Sequence, residues 1–101
     1  MVPTSSNDPG LLVLVSLASE PRHGHGILLD VEDFAGVRLG PGTLYGAISR
    51  LESDGLIEAM AAEGRRRPYR ITHRGRSLLR QRLDGLERTV RAGRRRVAVA
   101  S

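Results

Sequence analysis

The sequence contains no cysteine, no tryptophan and no lysine. Without cysteine there is neither a disulfide nor a thiolate-bound metal. Aromatic residues make up 3% of the chain, as Phe34, Tyr45 and Tyr69, so any core has to be aliphatic. Histidine occurs only at positions 23, 25 and 73. His23 and His25, two apart on a helix, point to different sides, and no metal site or cofactor is expected. The one apolar run, Leu11 to Ala18, is too short to cross a bilayer. The residues before it carry Asp8 instead of the positive charge of a secretory signal, so a soluble cytoplasmic protein is expected. At 101 residues the chain builds one domain with a thin core, a size at which dimerisation often adds stability.

Every one of the 16 basic residues is arginine, against 11 acids and a net charge of +5. Their distribution matters more than their sum. Residues 1–71 are mildly acidic overall, whereas the C-terminal third carries a strong arginine excess, and Arg65, Arg66 and Arg67 form a separate cluster. Such unevenness suits a polyanionic partner. Asp30, Glu32 and Asp33 fall on the solvent side of a helical pattern with no second catalytic group near them. The serines have no nucleophile-elbow context, so no enzymatic activity is expected.

Helical and extended patterns alternate in a definite order. Asp8 and Pro9 form a helix start, with the carboxylate as N-cap and proline at the first position, and Pro21 ends that first helix. It is apolar nearly all round and should be buried on several sides. A second helix is predicted over residues 23–35, with Leu28, Val31 and Ala35 on one stripe, Ile27 and Phe34 beside it, and Gly36 at its end. A third begins with Gly40 as N-cap and Pro41, and stops before Gly55. Its core stripe is Leu44, Ala47, Ile48 and Leu51. Its opposite stripe is Gly42, Tyr45, Gly46, Ser49 and Ser53, edged by Thr43 and Arg50, small at the start and almost uncharged. Two strands follow, "LIEAMAAEG" and "RPYRIT", joined by a turn that puts Arg65, Arg66 and Arg67 at its tip. Thr72 then caps a long helix in which Leu79, Leu83, Leu86, Val90, Gly93 and Val97 keep a heptad seam. A narrow stripe with no further chain to cover it implies a second copy of the same helix. Gly93 weakens its end, and fraying is expected through "RRRVAVAS".

Three helices followed by a hairpin are the order of a winged helix-turn-helix, here mainly α with a small β-hairpin and a long C-terminal dimerisation helix. The expected divisions are a disordered lead-in over residues 1–8, the winged helix-turn-helix over 9–72, the dimerisation helix over 73–97 and a tail over 98–101. In this fold the third helix enters the major groove and the hairpin tip reaches the backbone or minor groove. The bare start at Gly40, Pro41 and Gly42 would let main-chain N–H groups meet a phosphate at close range. Thr43 and Tyr45 have hydroxyls to donate, while Ser49 and Arg50 lie further along, where a base edge is within reach.

The stretches "PRHGHGILLDVE", "RLGPGTLYGAISRLESDGLIE", "GRRRPYRIT" and "RGRSLL" resemble the PadR family of bacterial transcriptional regulators. The resemblance covers roughly residues 11–86, and "PGTLYGAISRLESDGLIE" is its specific part. It implies double-stranded DNA as partner, with Pro41, Gly42, Thr43, Tyr45 and Gly46 at the DNA and Arg65 to Arg67 in the wing. It also implies a homodimer through the last helix, and many short members answer to a small-molecule effector. Without tryptophan, a pocket that sandwiches flat drugs between indoles is not expected. The chain departs from the family's usual residues at His25, Gly26, Gly40 and Gly46. A homodimeric repressor on an inverted-repeat operator is the reading that follows. A winged-helix module that binds an acidic protein, and a basic-tailed protein that coats nucleic acid without specificity, are the alternatives.

Overall fold

The computed structural model describes residues 8–100; the expected lead-in, apart from Asp8, lies outside them. Asp8 itself belongs to the first helix, α1 (Pro9–Ser19), as its cap. Its Oδ1 accepts from the Gly10 N–H at 2.9 Å and its Oδ2 meets Arg82 at 3.5 Å. Leu11, Leu12, Val13, Leu14 and Leu17 of α1 are all buried, as an all-round apolar helix requires. At the other end Arg22 Nε donates to the Ser16 carbonyl and Arg76 Nη1 to the Ala18 carbonyl. Two guanidinium groups thus satisfy carbonyls that the end of a helix leaves without partners.

After Pro21 the backbone is extended for two residues, β1 (Arg22–His23), before α2 (Gly24–Ala35) begins. The predicted second helix therefore starts one residue late, with His23 in extended conformation as its N-cap. Ile27 and Val31 carry the core face of α2. Phe34 and Ala35, expected on or beside that face, are exposed, because the end of α2 runs past the body of the core.

Helix α3 (Pro41–Ser53) buries Leu44, Ala47, Ile48 and Leu51 against α1. It ends in a Schellman turn: Leu56 N–H bonds back to the Leu51 carbonyl at 2.9 Å and Gly55 N–H to that of Glu52 at 3.0 Å. That turn needs a left-handed residue, and Gly55 supplies it with φ 73°. The chain then forms β2 (Ile57–Ala59) and β3 (Pro68–Ile71). The sheet has three strands in the order β1-β3-β2, all antiparallel, with Arg22 opposite Tyr69 and Ile57 opposite Ile71. The hairpin follows the expectation; β1 is an addition to it.

Thr72 caps α4 (His73–Ala100), accepting from Gly75 N–H at 3.0 Å. Its hydroxyl donates to the Gly55 carbonyl at 2.7 Å, and its N–H to that of Leu56 at 3.0 Å. From there α4 runs back along α1, from Ala18 beside Arg76 to Asp8 beside Arg82, and then projects beyond it. The helix continues to Ala100, through the stretch expected to fray and into the expected tail, whose last residue, Ser101, lies outside the described residues. Arginine and alanine hold helical conformation well enough to offset Gly93. Leu79, expected on the seam, is 4% exposed and belongs to the protomer's own core; the uncovered stripe starts at Leu83, 43% exposed. Among the described residues no helix is long and apolar enough to cross a membrane.

Gly75 lies where α4 meets the base of the hairpin. A Cβ there would overlap the Leu56 carbonyl oxygen and approach Ile71 Cγ1 at 2.9 Å. Since Leu56 is held by two backbone hydrogen bonds, that oxygen has little room to yield. Gly75→Ala should destabilise the fold by about 1–3 kcal/mol. Gly85→Ala, whose Cβ meets only an Arg88 nitrogen at 3.9 Å, should stabilise it by about 0.5–1 kcal/mol. Urea midpoints of the two variants, shifted in opposite directions, are the check.

Candidate nucleic-acid interface

The exposed side of α3 follows from how its core side is filled. With Leu44, Ala47, Ile48 and Leu51 inward, Pro41, Gly42, Thr43, Tyr45, Gly46, Ser49 and Arg50 are all turned outward and exposed. Gly40 caps the helix in extended conformation with no side-chain bond to the first turn. The first helical bond is Leu44 N–H to the Gly40 carbonyl, which leaves the N–H groups of Gly42 and Thr43 without acceptors among the described residues. A Cβ at Gly40, Gly42 or Gly46 would meet nothing within 4 Å. Internal packing therefore does not require glycine at these three positions; their smallness is presented outward.

The wing is a two-residue hairpin. Glu63 and Arg66 exchange backbone bonds, at 2.6 Å from Glu63 N–H and 3.1 Å from Arg66 N–H. Gly64 occupies the first central position with φ 63°, and no other type of residue in the described chain has positive φ, so the turn is of type II′. Arg65, Arg66 and Arg67 are exposed, and among the described residues their side chains make no hydrogen bond or ion pair. The same is true of Thr43, Tyr45, Ser49 and Arg50.

This sets two populations of arginine apart. Arg22, Arg38, Arg70, Arg76, Arg82 and Arg91 are each engaged by a carboxylate or a carbonyl of the chain itself. Asp30 and Glu32, read from the sequence as a solvated face, are partners of Arg22 and Arg38 respectively. Among the described residues the wing arginines and Arg50 have no such partner, and neither do Arg74, Arg80, Arg88, Arg94, Arg95 and Arg96 along α4.

Wing and α3 meet around one concavity of about 260 Å³. Its walls include His25 at the start of α2, the Tyr45 ring and the three wing arginines, with Tyr69 of β3 also lining it. Two contacts shape it. Glu63 Oε1 lies 2.9 Å from His23 Nε2, tying the wing tip to the start of α2. Tyr45, 51% exposed, rests against Gly24, where an added Cβ would overlap its hydroxyl and ring. The sequence picks out Tyr45, the arginines, and His23 and His25 as helix-start residues within reach of a phosphate, each separately, but not Gly24, Glu63 or Tyr69. Glu63 and His23 stand 40 positions apart, and no local pattern connects them. Among the described residues no three His, Asp or Glu side chains converge as a metal site would need.

The model of the transcriptional regulator PadR-like family matches residues 13–81. An uncharacterized 37.1 kDa protein in transposon TN4556 of Streptomyces fradiae is 43% identical over 83 residues, 82% of this chain and 24% of that protein. Transcriptional regulator Rv3488 of Mycobacterium tuberculosis is 45% identical over 69 residues, 62% of this chain and 64% of the relative. The chain thus spans less than two thirds of either relative's length. The solved structure of a transcriptional regulator from Clostridium thermocellum superposes with a TM-score of 0.77 at 27% identity, over 90% of this chain and 94% of the other. Because the family match extends from the middle of α1 past α3 and the wing into α4, the chain belongs to the PadR-like family of transcriptional regulators.

Proposed function

We propose that the chain is a sequence-specific DNA-binding regulator that works as a homodimer, a repressor seated on an inverted-repeat operator. The observation that carries this reading is the concavity where α3 and the wing meet, ringed by arginines that the fold itself leaves without a counter-charge. Bringing Arg65, Arg66 and Arg67 together costs electrostatic free energy that an approaching phosphate backbone would offset. On this reading the first turn of α3, with Thr43 and Tyr45, meets phosphate, and the exposed glycines let the main chain come close. Ser49 and Arg50 reach base edges in the major groove, where an arginine fork suits guanine. The wing lies against the neighbouring backbone.

The second half of α4 supports a two-fold pair. Leu83 and Val90 are 43% and 52% exposed, and Leu86 is half-buried. Beside them an apolar hollow of about 280 Å³ is lined by Leu11, Leu12, Val15, Phe34 and Ala35. A second copy of the helix covers both stripe and hollow in this reading. Leu79 contributes from within the protomer core and not across the seam. The two reading helices then face successive major grooves, with half-sites about one helical turn apart. A small-molecule effector that altered the pairing would alter that spacing. The reading involves no catalytic step and places the protein in the cytoplasm with the chromosome.

Fluorescence anisotropy with DNA from upstream of its own transcription unit should show tighter binding than random-sequence competitor. Equal affinity for both would favour nonspecific coating, and no binding to either would favour a protein-interaction module. Replacing Arg65, Arg66 and Arg67 together with alanine should weaken binding on every sequence and lower the slope of log K against log salt by about 2–3. Arg50→Ala should instead change the ranking of operator variants by about 1–3 kcal/mol at a single base pair, read from a competition panel. Leu83→Asp with Val90→Asp should give a monomer in sedimentation and abolish operator binding at concentrations where the unsubstituted protein binds.

A further inference from the structure

Gly24 is buried at the first turn of α2, and its backbone lies in a region open to any residue. Neither a positive φ nor a turn explains glycine there. What does explain it is Tyr45: the three heavy atoms nearest to where a Cβ would sit all belong to that ring system, and each falls within 3 Å of it. Gly26, two residues on, is different. A Cβ there meets only Arg22 Cβ, at an ordinary 3.6 Å. The adjacent His23 holds Glu63 of the wing, so the wing tip and the Tyr45 ring are both registered against the same turn of α2.

We infer that Gly24 is a positioning residue for DNA binding: its missing side chain seats Tyr45 so that the phenolic hydroxyl and the wing arginines face the same stretch of phosphate backbone across the concavity. This rests on the DNA-binding reading given above. Any side chain at 24 has to push the ring out of its place, and the open direction is into the concavity where the backbone would lie. The hydroxyl is then lost as a donor and the ring obstructs the arginines' approach. The assignment gives Gly24 no contact with DNA; it acts through Tyr45 alone.

A double-substitution cycle on the full chain tests this, using a mixed-sequence DNA duplex at low ionic strength, because a backbone contact is independent of base sequence. Gly24→Ala should weaken binding roughly tenfold and lower the salt slope by about one. In a Tyr45→Ala background the same Gly24→Ala change should leave affinity and slope unaltered, and Gly26→Ala should leave both unaltered in either background. Thermal unfolding of the four cycle members gives the companion measurement. A melting temperature lowered by Gly24→Ala should recover in the double variant, even where Gly24→Ala alone fails to fold. An equal loss from Gly24→Ala in both backgrounds, a double variant that stays unfolded, or a Gly26→Ala loss as large as that of Gly24→Ala would overturn the inference while leaving DNA binding intact. A lack of binding by the unsubstituted chain to any duplex would overturn the DNA-binding reading and this inference with it.

Discussion

The arrangement of the molecule depends on a small joint between three elements. Thr72 donates its hydroxyl to the Gly55 carbonyl, its N–H to the Leu56 carbonyl, and accepts the Gly75 N–H. Gly55 is the left-handed stop of α3, Leu56 leads into β2, and Gly75 lies in the first turn of α4. The end of α3, the base of the wing and the start of the long helix therefore meet within one hydrogen-bonded cluster. Gly75 makes this possible because α4 can approach the Leu56 carbonyl only without a Cβ in between. Displacing any one of the three elements would strain the other two.

The arginines show how one residue type serves two ends. On α1 and around β1 they replace missing helix partners: Arg22 and Arg76 take the last carbonyls of α1, and Arg82 meets its capping carboxylate. A planar guanidinium with several donors suits such carbonyl and carboxylate geometry better than an ammonium does. On the wing the same group stands in solvent. The difference lies in surroundings: among the described residues no carboxylate pairs with Arg65, Arg66 or Arg67 at the type II′ turn, and that of Glu63 is turned to His23. The mildly acidic total of residues 1–71 thus hides a strongly cationic tip.

Much of this was legible in the sequence, for reasons that also explain what was not. Helices α1 and α3 announce themselves through caps and period: Asp8-Pro9 and Gly40-Pro41 open them, and the α3 stripe is read directly from spacing. The exposed face of α3 then follows by elimination. β1 escaped because two residues offer no alternation to recognise, and only its pairing with Tyr69 and Pro68 makes it a strand. Periodicity placed Leu79 on the right stripe of α4 but does not say whose surface covers it; α1 of the same protomer does so first. Phe34 failed in the opposite sense, apolar and periodic yet beyond the reach of the core. Gly24 and Gly75 read locally as poor helix formers. Their meaning lies in Tyr45 and Leu56, distant in sequence, and appears only when the elements are assembled.

The length of α4 has a geometric consequence. Rooted at Thr72 and extended to Ala100, it would act in the proposed pair as a caliper between the joint below α3 and the seam that joins two copies. Each residue added between joint and seam would advance the jaw by about 1.5 Å and swing it through about 100°. DNA sets its own phase along the groove, so such a caliper admits few intermediate settings. In that pairing, insertions or deletions within the span would be tolerated only where they keep the angle.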